Sequence, residues 1–95
     1  MIICEEMKKL RGSLDKMGVE WVDASEEWEK NFYICRTHFS YNNKRYSVIN
    51  GFGSFGGYYK FREDNKNLLE IMLPNNEIEG YLTAEDVLNL IKGGL

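Results

Sequence analysis

Cysteine, histidine and proline are scarce in this sequence: two, one and one in 95 residues. A small secreted domain stapled by disulfides uses more cysteine than that. Cys4 and Cys35 are therefore read as free thiols in a reducing cytoplasm. Two cysteines and His38 also lack the ligand number and spacing of a zinc site, so neither a metal nor a cofactor is expected. Proline- and serine-rich linkers are missing, as are internal repeats, and the chain reads as one domain spanning 1–95. No apolar run is long enough to cross a bilayer as a helix. The start, Met-Ile-Ile-Cys-Glu-Glu, lacks a basic region followed by an apolar core, so no secretion signal is expected. A basic excess is absent too: 12 Lys and Arg stand against 15 Asp and Glu, a formal net charge of −3. That balance argues against a nucleic-acid partner and is too mild to mark a DNA mimic.

What is present suffices for a core. Hydrophobic residues make up 43% of the chain and aromatics 14%, unlike a disordered polar chain. Ile3, Met7, Leu10, Leu14 and Met17 recur at steps of four and three, which predicts one apolar stripe on a helix. Glu5 and Glu6 near its start and Lys8, Lys9, Arg11 and Lys16 after them complement the helix dipole. Glu5 is placed to pair with Lys9 one turn on. Gly18 marks the stop, and Gly12 weakens the helix by roughly 1 kcal/mol against Ala.

Val19 to Val22 then reads as a short strand, and the acidic stretch from Asp23 to Asn31 as a loop carrying Trp28. Phe32 to Tyr41 is a strand whose odd positions are the more apolar. Asn42-Asn43 suits a tight hairpin turn, because Asn tolerates positive φ, and Arg45 to Asn50 is the return strand. Gly57 to Glu63 reads as a further strand and 64–67 as a turn. Leu68 to Leu73 is nearly all apolar, which predicts a central strand or one covered on both faces. A short strand follows around Glu79 to Leu82. Thr83-Ala84-Glu85-Asp86 is a helix start signal, with Leu82 placed to staple onto Val87. Ala84, Val87, Leu88 and Ile91 form the stripe, and Gly93-Gly94 ends the helix. The expected fold is α+β: an antiparallel sheet of about five strands with an N-terminal and a C-terminal helix packed on it.

Gly51-Phe52-Gly53-Ser54-Phe55-Gly56 is a literal G-x-G-x-x-G. A dinucleotide fingerprint needs a helix after its glycines to receive the pyrophosphate. Here Tyr58-Tyr59-Lys60-Phe61-Arg62 follows, an aromatic, strand-like run. The stretch also resembles the glycine-rich loop of protein kinases, but their strand lysine, catalytic-loop aspartate and metal-binding aspartate have no counterpart here. The glycines instead predict a hairpin loop or bulged edge, an ordered connection over Gly51 to Gly57. Phe52 and Phe55 then point either into the core or out to a partner.

No catalytic residues are assigned. Cys35 and His38 lie three apart in a strand and so point to opposite faces, which opposes a thiolate–imidazole pair. Glu20, Asp23, Glu26, Glu27 and Glu29 around the tryptophans lack the spacing of a calcium loop; they form a solvated acidic loop or a dock for a basic partner. Tyr58, Tyr59, Lys60 and Arg62 mix aromatic and basic side chains as single-strand nucleic-acid platforms do, weakly so in an acidic protein.

"YSVINGFGSFGG", "NLLEIML" and "EGYLTAEDVLNLI", with "CEEMKKLRGSLDKMGVEW" at the front, resemble a group of small proteins of phages and other mobile elements of gut bacteria. The resemblance spans most of the chain. It implies a genetic context and brings no active-site residues with it. The expected function is a non-catalytic interaction module, an accessory or counter-defence factor that contacts a host or phage protein. Its expected binding residues are Phe52, Phe55, Tyr58, Tyr59, Trp28 and Arg62. The alternative is a protein that binds or sequesters a nucleotide-like ligand, with the glycine loop cradling phosphate and Lys60 or Arg62 neutralising it. Short aromatic strands leave an apolar edge, which favours pairing in a homodimer.

Overall fold

The computed structural model describes residues 3–29, 32–51, 54 and 67–93. In chain order they form helix α1 (Glu5–Lys16), strands β1 (Trp21–Asp23), β2 (Glu26–Glu29), β3 (Phe32–Tyr41), β4 (Lys44–Gly51), β5 (Leu69–Met72) and β6 (Ile78–Leu82), and helix α2 (Ala84–Ile91). The strands make one antiparallel sheet in the order β1-β3-β4-β5-β6, with β2 paired farther along the same edge of β3 as β1. The fold is α+β, as the sequence predicts. No described helix is long and apolar enough to cross a membrane.

The hairpin β3–β4 is the spine. Asn42 and Asn43 have φ of 52° and 64°, the pair of left-handed residues that a two-residue turn needs to match strand twist. Alternation then sorts the side chains. Cys35, Thr37 and Phe39 are buried while His38 and Ser40 are exposed. Phe39 lies opposite Tyr46 in the register, and their rings stack with centroids 5.4 Å apart.

Both helices cover the buried face. Met7, Leu10 and Leu14 of α1 and Val87 and Ile91 of α2 share one core with Val48, Leu69 and Ile71 of the sheet. Gly18 and Gly93, at φ of +72° and +83°, lie just past the two helices. Thr83 caps α2 through a reciprocal bond pair with Asp86. Glu6 Oε1 accepts a hydrogen bond from the Ala84 amide at 2.9 Å. One α1 carboxylate thereby meets a backbone donor that α2 leaves open at its N-terminus.

The structure corrects several expectations. The acidic stretch is not all loop, because Glu26–Glu29 is a strand. β3 is ten residues long and β1 spans only three, so the rest of that edge offers unpaired backbone groups, and β2 takes them. β5 lies inside the sheet but is covered on one face only: Leu69 and Ile71 are buried, while Met72 is exposed. The reason is that both helices chose the same side. Glu5 pairs with Lys8, not Lys9. Between β5 and β6 a register shift sets Gly80 and Tyr81 against Glu70, and Tyr81 takes a φ of 58°, strained for a bulky side chain. The strand expected over 57–63 lies outside the described residues.

Candidate functional site

Trp28 is the one expected binding residue that the structure describes. It sits on β2, 60% exposed, between glutamates. Phe52, Phe55, Tyr58, Tyr59 and Arg62 lie outside the described residues. The first glycine of the G-x-G-x-x-G does have a structural task. A Cβ on Gly51 would come within 2.5 Å of the Tyr33 carbonyl oxygen and 2.7 Å of the Ile34 Cα. Glycine is there because the neighbouring strand passes too close for a side chain. Ser54 closes a local turn onto it: its backbone N–H and its hydroxyl both donate to the Gly51 carbonyl, at 3.2 and 2.9 Å.

The face of the sheet opposite the helices carries the most distinctive surface. The strand registers align Val22, His38, Ser47, Met72 and Ile78 in one row across five strands. Val22 is 65%, Met72 44% and Ile78 48% exposed. At the hairpin end of this face lies an open groove of about 820 Å³, with Val22, Met72 and Pro74 as apolar walls, Lys44 and Arg45 as its cations, and His38 and the carboxylate of Glu20 also in its lining. Among the described residues neither Lys44 nor Arg45 is in an ion pair. Sequence reading missed this row, because its members come from five separate strands and only the register brings them together.

On the buried face, Arg11 is a charged side chain inside the core. Its Nε donates to Thr37 Oγ1 at 2.8 Å, and its Nη2 to Asp23 Oδ1 at 3.2 Å, the Arg36 carbonyl at 3.3 Å and Cys35 Sγ at 3.7 Å. Its guanidinium carbon lies 4.6 Å from the centroid of the Trp21 ring. Thr37 in turn donates to Met7 Sδ at 3.1 Å. This network ties α1 to β1 and β3, and no described buried side-chain nitrogen or oxygen is left without a partner. Hydrogen bonds from Ser25, ahead of the nearby Arg11 charge, hold the Asp23 carboxyl below the usual carboxylate range. The α1 stripe contained the signal for Arg11, since residue 11 falls one turn after Met7.

Cys35 is buried and His38 faces solvent, on opposite faces of β3. Cys4 is buried as well, and burial pushes its thiol up, away from the nucleophilic thiolate. Among the described residues no group of three or more His, Cys, Asp or Glu could hold a metal ion. No protein-family model, curated protein or solved structure matches the chain.

Proposed function

We propose that this chain is a non-catalytic interaction module whose open sheet face receives a protein partner. The supporting observation is the row of Val22, Met72 and Ile78, three exposed apolar side chains on the face that the helices leave bare. A sheet face meant only for water alternates to polar residues there; Met72 and Ile78 are register neighbours, with Val22 on the same row beyond His38 and Ser47, and exposed apolar surface of this kind marks interaction sites. Trp28 on its acidic strand extends the surface as an aromatic anchor. In the setting that the resemblance implies, the module serves in the cytoplasm as an accessory or counter-defence factor against a host or phage protein. Met72→Glu tests the reading. Met72 already faces solvent, so the variant should melt like the parent but lose a protein captured from host extract at near-stoichiometric amounts. Equal capture by both proteins, or capture by neither, refutes it.

A second reading has its own support. The groove beside His38, Lys44 and Arg45 is within the size range of small-ligand sites, and its two cations suit a phosphate-bearing, nucleotide-like ligand. A thermal-shift screen with nucleotides and cyclic nucleotides should raise the melting temperature if it holds. A flat screen excludes it.

A further inference from the structure

We infer that Glu20 limits the groove to nucleotide-like ligands that carry a single negative charge, the class of 3′,5′-cyclic mononucleotides. This rests on reading the groove as a small-ligand site. The register lays out its floor. Arg45 on β4 is level with Ser40 on β3, and Val22 on β1 is level with His38. Glu20 lies two residues ahead of Val22, so the same antiparallel register brings it to the level of Ser40. The intervening Trp21 turns to the helix side, where its ring meets Arg11. Alternation therefore leaves Glu20 on the open face with Val22. Arg45 and Glu20 thus stand in one row with Ser40 between them, two strand spacings or about 10 Å apart. Both are exposed and line the groove. Neither is in an ion pair among the described residues. Lys44 alternates with Tyr46 away from the open face and lines the groove at the hairpin turn.

The two ends of this row ask different things of a ligand. The Arg45 guanidinium offers a fork of N–H donors to an anionic oxygen pair. The Glu20 carboxylate only accepts hydrogen bonds, and suits a hydroxyl or an exocyclic amine. Met72, level with Ser47 on the next strand, and Pro74 beyond it supply an apolar wall for a ring. A nucleoside cyclic phosphate has this make-up: one ionised phosphate, donors away from it, and a flat ring. Charge then sets the limit. Lys44 and Arg45 against Glu20 leave one positive charge unmatched in the lining, in a chain whose formal net charge is −3. One negative charge on the ligand balances it. Each further one finds no partner there and meets the Glu20 carboxylate across the floor. At about 10 Å and an effective dielectric constant of about 40–80, each added unit of charge weakens binding about two- to fourfold.

Amide NMR titrations of the full chain with 3′,5′-cyclic AMP, AMP and ATP, without added metal, provide the test. They are run at about 10 mM salt, where the Debye length is about 30 Å and the charges are little screened. The parent should bind cyclic AMP most tightly, with shifts centred on Ser40, Arg45 and Ser47, and ATP more weakly by roughly tenfold or more. Arg45→Gln should lose roughly tenfold or more of the cyclic AMP affinity. Glu20→Gln should keep cyclic AMP and raise ATP relative to it by roughly tenfold. Both residues are exposed, so both variants should melt like the parent. A parent that prefers ATP overturns the inference and leaves the small-ligand reading standing. So does a preference for cyclic AMP that Glu20→Gln leaves unchanged, since the limit would then lie elsewhere. Cyclic AMP binding indifferent to Arg45→Gln overturns it as well, by placing the ligand outside the groove. If none of the three ligands shifts the groove amides, the small-ligand reading falls and the inference with it.

Discussion

Replacing Arg11 by methionine keeps a long apolar stem in the core and removes every guanidinium donor. The consequences differ among its partners. Asp23, whose side chain is 51% exposed, can rehydrate, so losing that bond is cheap. Thr37 is fully buried. It keeps Met7 Sδ as the acceptor for its hydroxyl hydrogen, but its own oxygen loses its donor. An orphaned buried acceptor costs about 1–3 kcal/mol, and the lost contact with the Trp21 ring adds about 0.5–1 kcal/mol. Arg11→Met should therefore destabilise the fold by about 1.5–4 kcal/mol. Thr37→Val, which leaves Arg11 one acceptor short among several, should cost about 1–2 kcal/mol. Because the two changes remove the two ends of one bond, the double variant should cost less than their sum by about 1–2 kcal/mol. Urea unfolding of all four proteins, with unchanged m-values, measures the cycle. Additivity within about 0.5 kcal/mol would refute the coupling. A single Arg11→Met cost below about 1 kcal/mol would show that the network does not hold α1 to the sheet.

Gly51→Ala should lower stability by about 1–3 kcal/mol, because its Cβ would press on the backbone of β3 and not on a movable side chain; thermal melts measure it. Gly12→Ala should raise stability by about 0.5–1 kcal/mol in the same assay, since a Cβ there meets nothing within 4 Å and the helix gains a better former. Asp23 contributes to pH dependence. Its folded pKa is depressed, first by the Ser25 hydrogen bond, so its stabilisation is complete above the ordinary carboxylate pKa of about 3.9. It is lost as pH falls through the folded value. Urea midpoints followed from about pH 5 down to about pH 2 should drop less steeply in Asp23→Asn than in the parent.

The hairpin, the helix boundaries and the class of the fold were legible in the chain because the physics behind them is local. Alternation along Phe32–Tyr41 needs only neighbouring residues to choose a buried face. Asn42-Asn43 accepts positive φ by its own stereochemistry, and Thr83 finds its capping partner in Asp86 three residues away. The expected α1 stripe held Met7, Leu10 and Leu14, but Arg11 shares their side of the helix. Its charge suggested a role for the helix dipole, while its burial depends on Thr37 and Asp23, distant partners invisible in a local pattern. β2 was hidden for a similar reason. A stretch of glutamates around one tryptophan has no strand pattern of its own, and becomes a strand because β3 leaves edge unpaired. The open face was decided last. The nearly apolar Leu68 to Leu73 is compatible with cover on one side or on both. Only the meeting of α1 and α2 on a single face, helped by the bond from the Ala84 amide to Glu6, leaves Met72 in solvent beside Ile78 and on one row with Val22. Which residues lie beside one another along the chain was the sequence's own decision. Which layer covers which face was settled by contacts between residues far apart in that chain, and those form only when the whole sheet closes on its helices.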